Sequence, residues 1–178
     1  MPSNAHETKL FFSTFTNLNW ISILKEGTHK KIVLDSLKFL VDDKRIKLYG
    51  FVIMPNHIHL LWQIAEELEL KDVQRDFLKF TAQKIRFNLL DTNNRLIDDL
   101  LVYSKDRITQ IWERNGLSFM LNNTQTTLQK LNYIHQNPIK EKWKLSETPE
   151  EYYYSSAKYY STGIDEFEML THINEVLR

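Results

Sequence analysis

"FVIMPNHIHLLWQI", residues 51–64, places two histidines one residue apart inside a run that is otherwise largely apolar. Successive side chains on a β-strand point to opposite faces, so residues i and i+2 share a face. We therefore predict that His57 and His59 lie side by side on one face of a strand over residues 57–64. The alternate residues pack on the other face: Ile58, Leu60 and Trp62. One face thus supplies apolar packing, and the other presents two imidazoles as the beginning of a site.

The chain on either side of this strand predicts an α+β fold. Alternating or β-rich patterns predict further strands at 9–16 and 46–54, and helical spacing of apolar residues predicts helices at 28–45, 65–90 and 122–138. Thr28 is the expected N-cap of the first helix. The dipeptide Asn115-Gly116 predicts a hairpin over 108–121. The expected fold has one antiparallel sheet with helices mainly on one face.

Composition sets limits on the class of protein. A chain of 178 residues with 42% hydrophobic side chains is expected to form a single domain over 1–178, with 145–178 as a peripheral C-terminal extension. The absence of cysteine excludes thiolate metal sites and leaves histidine, carboxylate and amide groups as ligands. The 23 basic and 23 acidic side chains balance, so a surface for nucleic acid must be local.

The sequence gives no sign of a membrane protein. Its first twenty residues lack the charged start and apolar core of a secretory signal. No apolar run reaches the roughly 20 residues that a membrane-spanning helix needs. We expect a cytoplasmic protein with no membrane partner.

Two interpretations of the histidine pair are open. Each histidine could be a core residue with satisfied hydrogen bonds, or the pair could bind a metal, because neutral imidazole is a common ligand. A cupin-like site, which needs a glutamate three or four residues after the second histidine, is excluded because Gln63 and Ile64 fill or border those positions and Glu66 follows too late. A (β/α)₈ hydrolase is excluded because that barrel needs roughly 200 residues or more.

The helix predicted at 122–138 offers a second group of functional side chains. Tyr133 and Asn137 are four residues apart and share a helical face. Pro138 is expected to end the helix. A tyrosine one turn from an amide ligand, facing a histidine pair that binds a metal, is the arrangement expected for a phenolate that attacks a phosphodiester.

These segments carry a resemblance to a known family. "GFVIMPNHIHLLW" (50–62), "YIHQNPIKEKW" (133–143) and "PEEYYYSSA" (149–157) occur in the order and with the separations of the single-tyrosine HUH transposases, and the chain resembles their REP-associated tyrosine transposase branch. The resemblance runs from the first strand to about residue 160. It implies a ferredoxin-like or RRM-like fold whose C-terminal helix carries the catalytic tyrosine.

The resemblance also implies chemistry. His57, His59 and Asn137 would bind a divalent metal, Mg²⁺ or Mn²⁺, with Gln136 as the alternative to Asn137. Tyr133 would cut single-stranded or hairpin DNA and form a 5′-phosphotyrosine intermediate. Members of the wider family act as monomers or homodimers, and the sequence leaves this choice open, as it does the group that deprotonates Tyr133.

Basic and aromatic side chains are the candidates for DNA contact. Aromatic rings such as Trp112 and Phe119 could stack on unpaired bases. The expected DNA-binding residues are Lys71, Arg75, Lys79, Lys84, Arg86, Arg107, Trp112, Arg114 and Lys140. Each basic cluster could instead be an ordinary solvated helix face.

Two other functions compete with a transposase. The first is a domesticated protein that binds DNA hairpins without cutting them, although four intact candidate residues argue against loss of chemistry. The second is a replication initiator or relaxase, which usually carries further domains and further tyrosines near the first.

Overall fold

The computed structural model describes residues 9–104 and 107–177, with the backbone alone for 103, 104 and 107. The strands in this part of the chain are β1 (Leu10–Thr16), β2 (Ile46–Ile53), β3 (His57–Ile64), β4 (Leu101–Ser104), β5 (Arg107–Thr109) and β6 (Leu117–Met120). The helices are α1 (Gly27–Asp42), α2 (Leu70–Asp91), α3 (Leu96–Asp99), α4 (Thr124–Gln136) and α5 (Ala157–Thr162). Within the described ranges, no helix combines the length and apolar character that crossing a membrane requires.

The main sheet is antiparallel, with strand order β2-β3-β1-β6. Together with α1 and α2 it gives the β-α-β-β-α-β arrangement of ferredoxin-like domains, and the predicted α+β class is confirmed. The segment α3-β4-β5 is inserted before the last strand of the main sheet. In the register of β1 against β3, Thr14 is opposite His59 and Thr16 is opposite His57.

The sheet is buried on both faces. On one face, Ile58, Leu60 and Trp62 pack with residues of α1 and α2 in the larger core. On the other face, Leu61 packs with Leu131 and Ile134 of α4 in a second core. The two long helices therefore cover one face as predicted, while α4 lies on the face that carries the histidines.

The ends and orientation of α4 follow from its sequence. The Asn123 side-chain oxygen accepts a hydrogen bond from Thr126 N at 2.8 Å, which caps the first turn. The helix ends at Gln136, just before Pro138. Its buried stripe consists of Thr127, Leu131 and Ile134, at helical spacing. Leu128 lies beside this stripe, and its side chain is exposed.

The predicted hairpin over 108–121 does not form. β5 pairs with β4, whereas β6 pairs with β1 of the main sheet. Ile111 and Trp112 between them are buried in the larger core. Gly116 does not have the positive φ of a type I′ turn, and a Cβ at this position would lie 2.7 Å from the Phe15 ring. Burial of the intervening residues thus overrides the local turn signal.

Two helix starts also differ from their predictions. α1 begins at Gly27, so Thr28 lies inside its first turn and the cap position belongs to Glu26. α2 begins at Leu70 because residues 65–68 form a turn whose backbone oxygens at 66 and 68 accept hydrogen bonds from Lys9 Nζ.

The C-terminal segment packs along β2. Ile53 N donates to Tyr154 O at 2.9 Å, and Phe51 N donates to Ser156 Oγ at 3.0 Å. The Tyr152 hydroxyl donates to Ile53 O at 2.7 Å. These bonds satisfy backbone groups of β2, which is an edge strand of the main sheet.

Gly50 sets how closely α4 approaches the sheet. A Cβ at this position would lie 2.7 Å from Leu131 Cδ1. We expect Gly50→Ala to lower the free energy of unfolding by about 1–3 kcal/mol, because the added methyl group overpacks this contact. Urea denaturation measures the change. An unchanged stability would mean that the Leu131 side chain moves aside at no cost.

Candidate nuclease site

The two histidines of β3 lie together beneath a cleft between the sheet and α4. His57 and His59 are almost fully buried, and their ring centroids are 4.8 Å apart. The alternation predicted for this strand is thus present, with the imidazoles on the α4 face. Thr14 and Thr16 of the adjacent strand line the same cleft.

Both imidazoles are oriented through their Nδ1 atoms. His57 Nδ1 donates to Asn56 Oδ1 at 2.7 Å. His59 Nδ1 lies 2.7 Å from Thr14 Oγ1. When Nδ1 of a neutral imidazole carries the proton and donates it in such a bond, the lone pair lies on Nε2, which is the arrangement seen in metal-ligating histidines. Among the described residues, the buried His59 Nε2 has no hydrogen-bond partner.

The surroundings keep both histidines neutral at pH 7. Burial, together with the ammonium groups of Lys142 and Lys140, lowers the pKa of His57 to about 4. Burial, followed by repulsion from His57, Lys140 and Lys130, lowers the pKa of His59 to about 3. Neutral imidazole is the form that ligates a metal.

α4 brings Tyr133 and Asn137 to this cleft. The Tyr133 ring centroid lies 5.2 Å from that of His59, and 39% of the tyrosine is exposed. Asn137 is buried, and its Nδ2 donates to Tyr133 O at 3.1 Å. That bond uses the amide nitrogen, whereas the ligating atom of an asparagine is its oxygen. Gln136, the alternative ligand, is half-buried and lies outside the cleft lining.

The donor set fits a divalent cation. An unpartnered buried Nε2 is costly without a ligand, and a second imidazole and an amide line the same cleft. Within the described ranges, no three residues of the types His, Cys, Asp and Glu cluster as a metal site. A third protein ligand would therefore be the Asn137 amide oxygen.

The cleft is cationic. It has a volume of about 450 Å³, and no acidic side chain is among the described residues that line it. Lys140 Nζ lies 3.9 Å from the Tyr133 ring centroid. Lys130 Nζ lies 4.9 Å from the ring centroid of Phe12 and 5.1 Å from that of Phe119. A chain of zero net charge therefore has a local surface suited to phosphate.

The cleft lining includes residues that were not among the sequence-based candidates, notably Trp20, Lys130 and Trp143. Lys130 had a usable signal, because it lies three residues before Tyr133 and so on a neighbouring part of the same helical face. The two tryptophans lie in irregular segments, where side-chain direction follows no period.

The other candidate DNA-binding residues are divided over the molecule. Of the candidates whose side chains the structure describes, only Lys140 lines the histidine cleft. A separate groove of about 970 Å³ beside α2 is lined by Lys71, Arg75, Lys79 and Arg114. Arg75 is held there by ion pairs with Asp72 and Asp76. Lys84 and Arg86 lie further along α2, and the Arg107 side chain lies outside the described part of the structure.

Trp112 is not available for base stacking, contrary to the sequence-based prediction. It is 5% exposed, and its Nε1 donates to Thr81 Oγ1 at 3.0 Å in the larger core. The side chain is enclosed because residues 110–112 cross between α2 and β1. Phe119, in contrast, lines the histidine cleft.

His135 and the tyrosines at 152–154 contact other parts of the protein and do not line the cleft. His135 Nε2 lies 2.9 Å from Ser156 Oγ, and the residue is outside the cleft lining. Tyr152 is buried in the second core, and Tyr154 packs beside it. Tyr153 is exposed, with its ring against Phe167.

The fold and the cleft together define a ferredoxin-like α+β domain in which a histidine pair faces a tyrosine on a separate helix. Residues 20–106 match the family model described as Transposase IS200 like, so this part of the chain is similar to the IS200-like transposases. The resemblance stated from the sequence is thereby confirmed. The matched residues include His57 and His59, whereas Tyr133 and Asn137 lie beyond them.

Two solved structures share the fold. One is a REP-associated tyrosine transposase bound to a REP hairpin, with a TM-score of 0.64, 16% identity, and coverage of 94% of this chain and 88% of that chain. Another is a candidate transposase from Deinococcus radiodurans R1, with a TM-score of 0.51, 12% identity, and coverage of 72% of this chain and 90% of that chain. No curated protein sequence matches this chain.

Proposed function

We propose that this protein is a metal-dependent DNA endonuclease and strand transferase that acts on single-stranded or hairpin DNA through a 5′-phosphotyrosine intermediate. One observation carries the proposal: His59 Nε2, which is buried and has no hydrogen-bond partner among the described residues, lies in a cationic cleft beside the half-exposed Tyr133. The proposed metal ligand, the proposed nucleophile and a cationic surface for phosphate are thus adjacent.

The metal would be held by His57, His59 and the amide oxygen of Asn137. When bound, Mg²⁺ or Mn²⁺ supplies Lewis-acid polarisation of a non-bridging phosphate oxygen. Two imidazole nitrogens favour Mn²⁺ over Mg²⁺, because Mg²⁺ prefers oxygen ligands.

The covalent step belongs to Tyr133. Its hydroxyl releases a proton to water as Oη forms a bond to phosphorus, the bond from phosphorus to the 3′ oxygen breaks, and the departing 3′ oxygen takes up a proton from water to become a hydroxyl. Lys140 and Lys130 beside the tyrosine provide positive charge for the phosphate. Attack of a 3′ hydroxyl on the phosphotyrosine reverses the step, so rejoining needs no ATP.

Three findings support DNA as the substrate. The family model that matches residues 20–106 is one of transposases, which process DNA, and a solved protein of the same fold is bound to a REP hairpin. The cleft lining combines exposed aromatic rings with ammonium groups, which is the usual surface for unpaired strands.

The proposal is tested with labelled hairpin oligonucleotides taken from the DNA that flanks the gene. The protein is incubated with each strand and Mn²⁺ or Mg²⁺, and the products are separated on a denaturing gel. We expect a shifted protein–DNA band that requires the metal. Hairpin binding without an adduct, with both metals and several flanking sequences, would instead indicate the non-cleaving hairpin-binding protein.

Asn56 is a positioning residue for His57. We expect Asn56→Ala to weaken Mn²⁺ binding roughly 10- to 100-fold, because the ring loses the acceptor that orients it. Titration calorimetry with Mn²⁺ measures this change.

Asn56→Asp is the matched control. Its carboxylate still accepts from His57 Nδ1, so Mn²⁺ affinity should stay within about threefold of wild type. Equal losses in both variants would mean that Asn56 acts on the backbone rather than on the imidazole.

A further inference from the structure

Trp20 has an unusual backbone and an unusual exposure. Asn19 and Trp20 have φ values of 52° and 59°, in the left-handed region that bulky residues rarely adopt. The Trp20 side chain is nonetheless 62% exposed, so its own burial does not stabilise this conformation. Strained residues of this kind cluster at ligand-binding sites.

Neighbouring groups hold the strained turn in place. Trp20 N donates to Asn17 O at 3.0 Å, and Trp20 O accepts from Asn56 Nδ2 at 3.0 Å. Asn19 N donates to Glu113 Oε1 at 2.8 Å. The same Asn56 side chain accepts from His57 Nδ1, so it ties the position of Trp20 to that of the histidine pair.

A second indole lies near the same histidine. The ring centroids of Trp20 and Trp143 lie 6.5 Å and 5.7 Å from that of His57. Lys142 Nζ lies 6.0 Å from the Trp20 ring and 5.2 Å from the Trp143 ring. Two aromatic rings and an ammonium group therefore converge at one end of the cleft.

This chemistry selects one class of ligand. The lysines favour a polyanion, and the described lining has no acidic group to attract a cationic peptide. The indoles favour a flat π-system, and a base in a duplex already has both faces stacked. An unpaired nucleobase on a phosphate backbone satisfies both requirements.

We propose that Trp20, supported by Trp143, stacks on an unpaired nucleobase next to the phosphodiester that Tyr133 attacks, while Lys142 contacts the adjoining phosphate. This inference rests on the proposed function, because the base is placed relative to the scissile bond. It gives the nuclease a stacking site that selects for single strands at the point of cleavage.

The test replaces the ring without adding strain. Asparagine tolerates the left-handed region, so Trp20→Asn should melt at the same temperature as wild type or higher. Affinity for a fluorescein-labelled thymidine homopolymer, measured by anisotropy, should fall roughly 5- to 150-fold. Trp20→Phe should restore much of this affinity. Phe39→Ala, which removes an equally exposed ring from α1, should have no effect.

The outcomes separate this inference from the proposed function. Wild-type affinity of Trp20→Asn for the single strand, with metal-dependent adduct formation intact, would overturn the stacking site and leave the nuclease in place. An equal loss of affinity for a blunt duplex would also overturn it, because stacking requires an unpaired base. Absence of wild-type binding both to the homopolymer and to the flanking hairpins would overturn the inference together with the DNA function, whereas hairpin binding alone would overturn only the inference.

Discussion

Tyr133→Phe should abolish the covalent protein–DNA adduct while DNA binding stays within about twofold of wild type. The hydroxyl oxygen is the only non-hydrogen atom lost, and in the proposed mechanism it is the atom that bonds to phosphorus. The phenylalanine ring keeps the edge contacts with His59 and Phe12, whose centroids lie 5.2 Å and 6.1 Å from that of Tyr133. We expect the rate of adduct formation to fall at least ~10³-fold, to below detection.

A second tyrosine provides the control for this experiment. Tyr153 is also exposed, but it lies outside the cleft with its ring against Phe167. Tyr153→Phe should form the adduct at the wild-type rate. An adduct that persists in Tyr133→Phe would assign the nucleophile to another residue, and peptide mapping of the adduct would identify it.

His59→Met should remove metal-dependent cleavage, with Mn²⁺ affinity reduced at least ~100-fold. Methionine has a similar volume and no nitrogen ligand. The replacement loses the contact with Thr14 but also removes the buried Nε2 that lacks a partner. Because these effects oppose each other, the free energy of unfolding of the metal-free protein should change by no more than about 1 kcal/mol.

His29 is the matched control, because it is a buried histidine of the opposite kind. Its Nδ1 lies 2.7 Å from Ile23 O and its Nε2 lies 2.9 Å from Asn88 Oδ1, so both nitrogens have partners. His29→Met should reduce stability and leave Mn²⁺ affinity unchanged. Titration calorimetry and urea denaturation on both variants separate the two roles. Undiminished Mn²⁺ binding by His59→Met would contradict the metal site.

His57 and His59 show which properties of the site the sequence predicts and which it leaves open. The spacing of His57 and His59 indicated a shared strand face, and the structure places them on one. The sequence left open whether they were core residues or ligands. The hydrogen-bond partners of the two Nδ1 atoms bear on that choice. These partners are the side chains of Thr14 for His59 and Asn56 for His57.

Two sequence-based predictions are wrong because a local sequence pattern competes with the burial of side chains in the core. Asn115-Gly116 is a strong local signal for a hairpin, yet the strand that follows it pairs with β1. The aromatic and basic residues around Trp112 predict that its ring stacks on a DNA base. Its indole instead fills the core between α2 and the sheet, which no periodicity within residues 107–114 could indicate.

The sequence by itself determined the periodic elements, the shared face of His57 and His59, and the one-turn separation of Tyr133 and Asn137. These properties depend on the repeat of a single strand or helix. Only the tertiary structure decided that the two pairs meet, and that Lys140 and Trp20 join them in the cleft. Those residues lie on irregular segments or distant elements, and their convergence follows from how Leu131 and Ile134 seat α4 on the sheet.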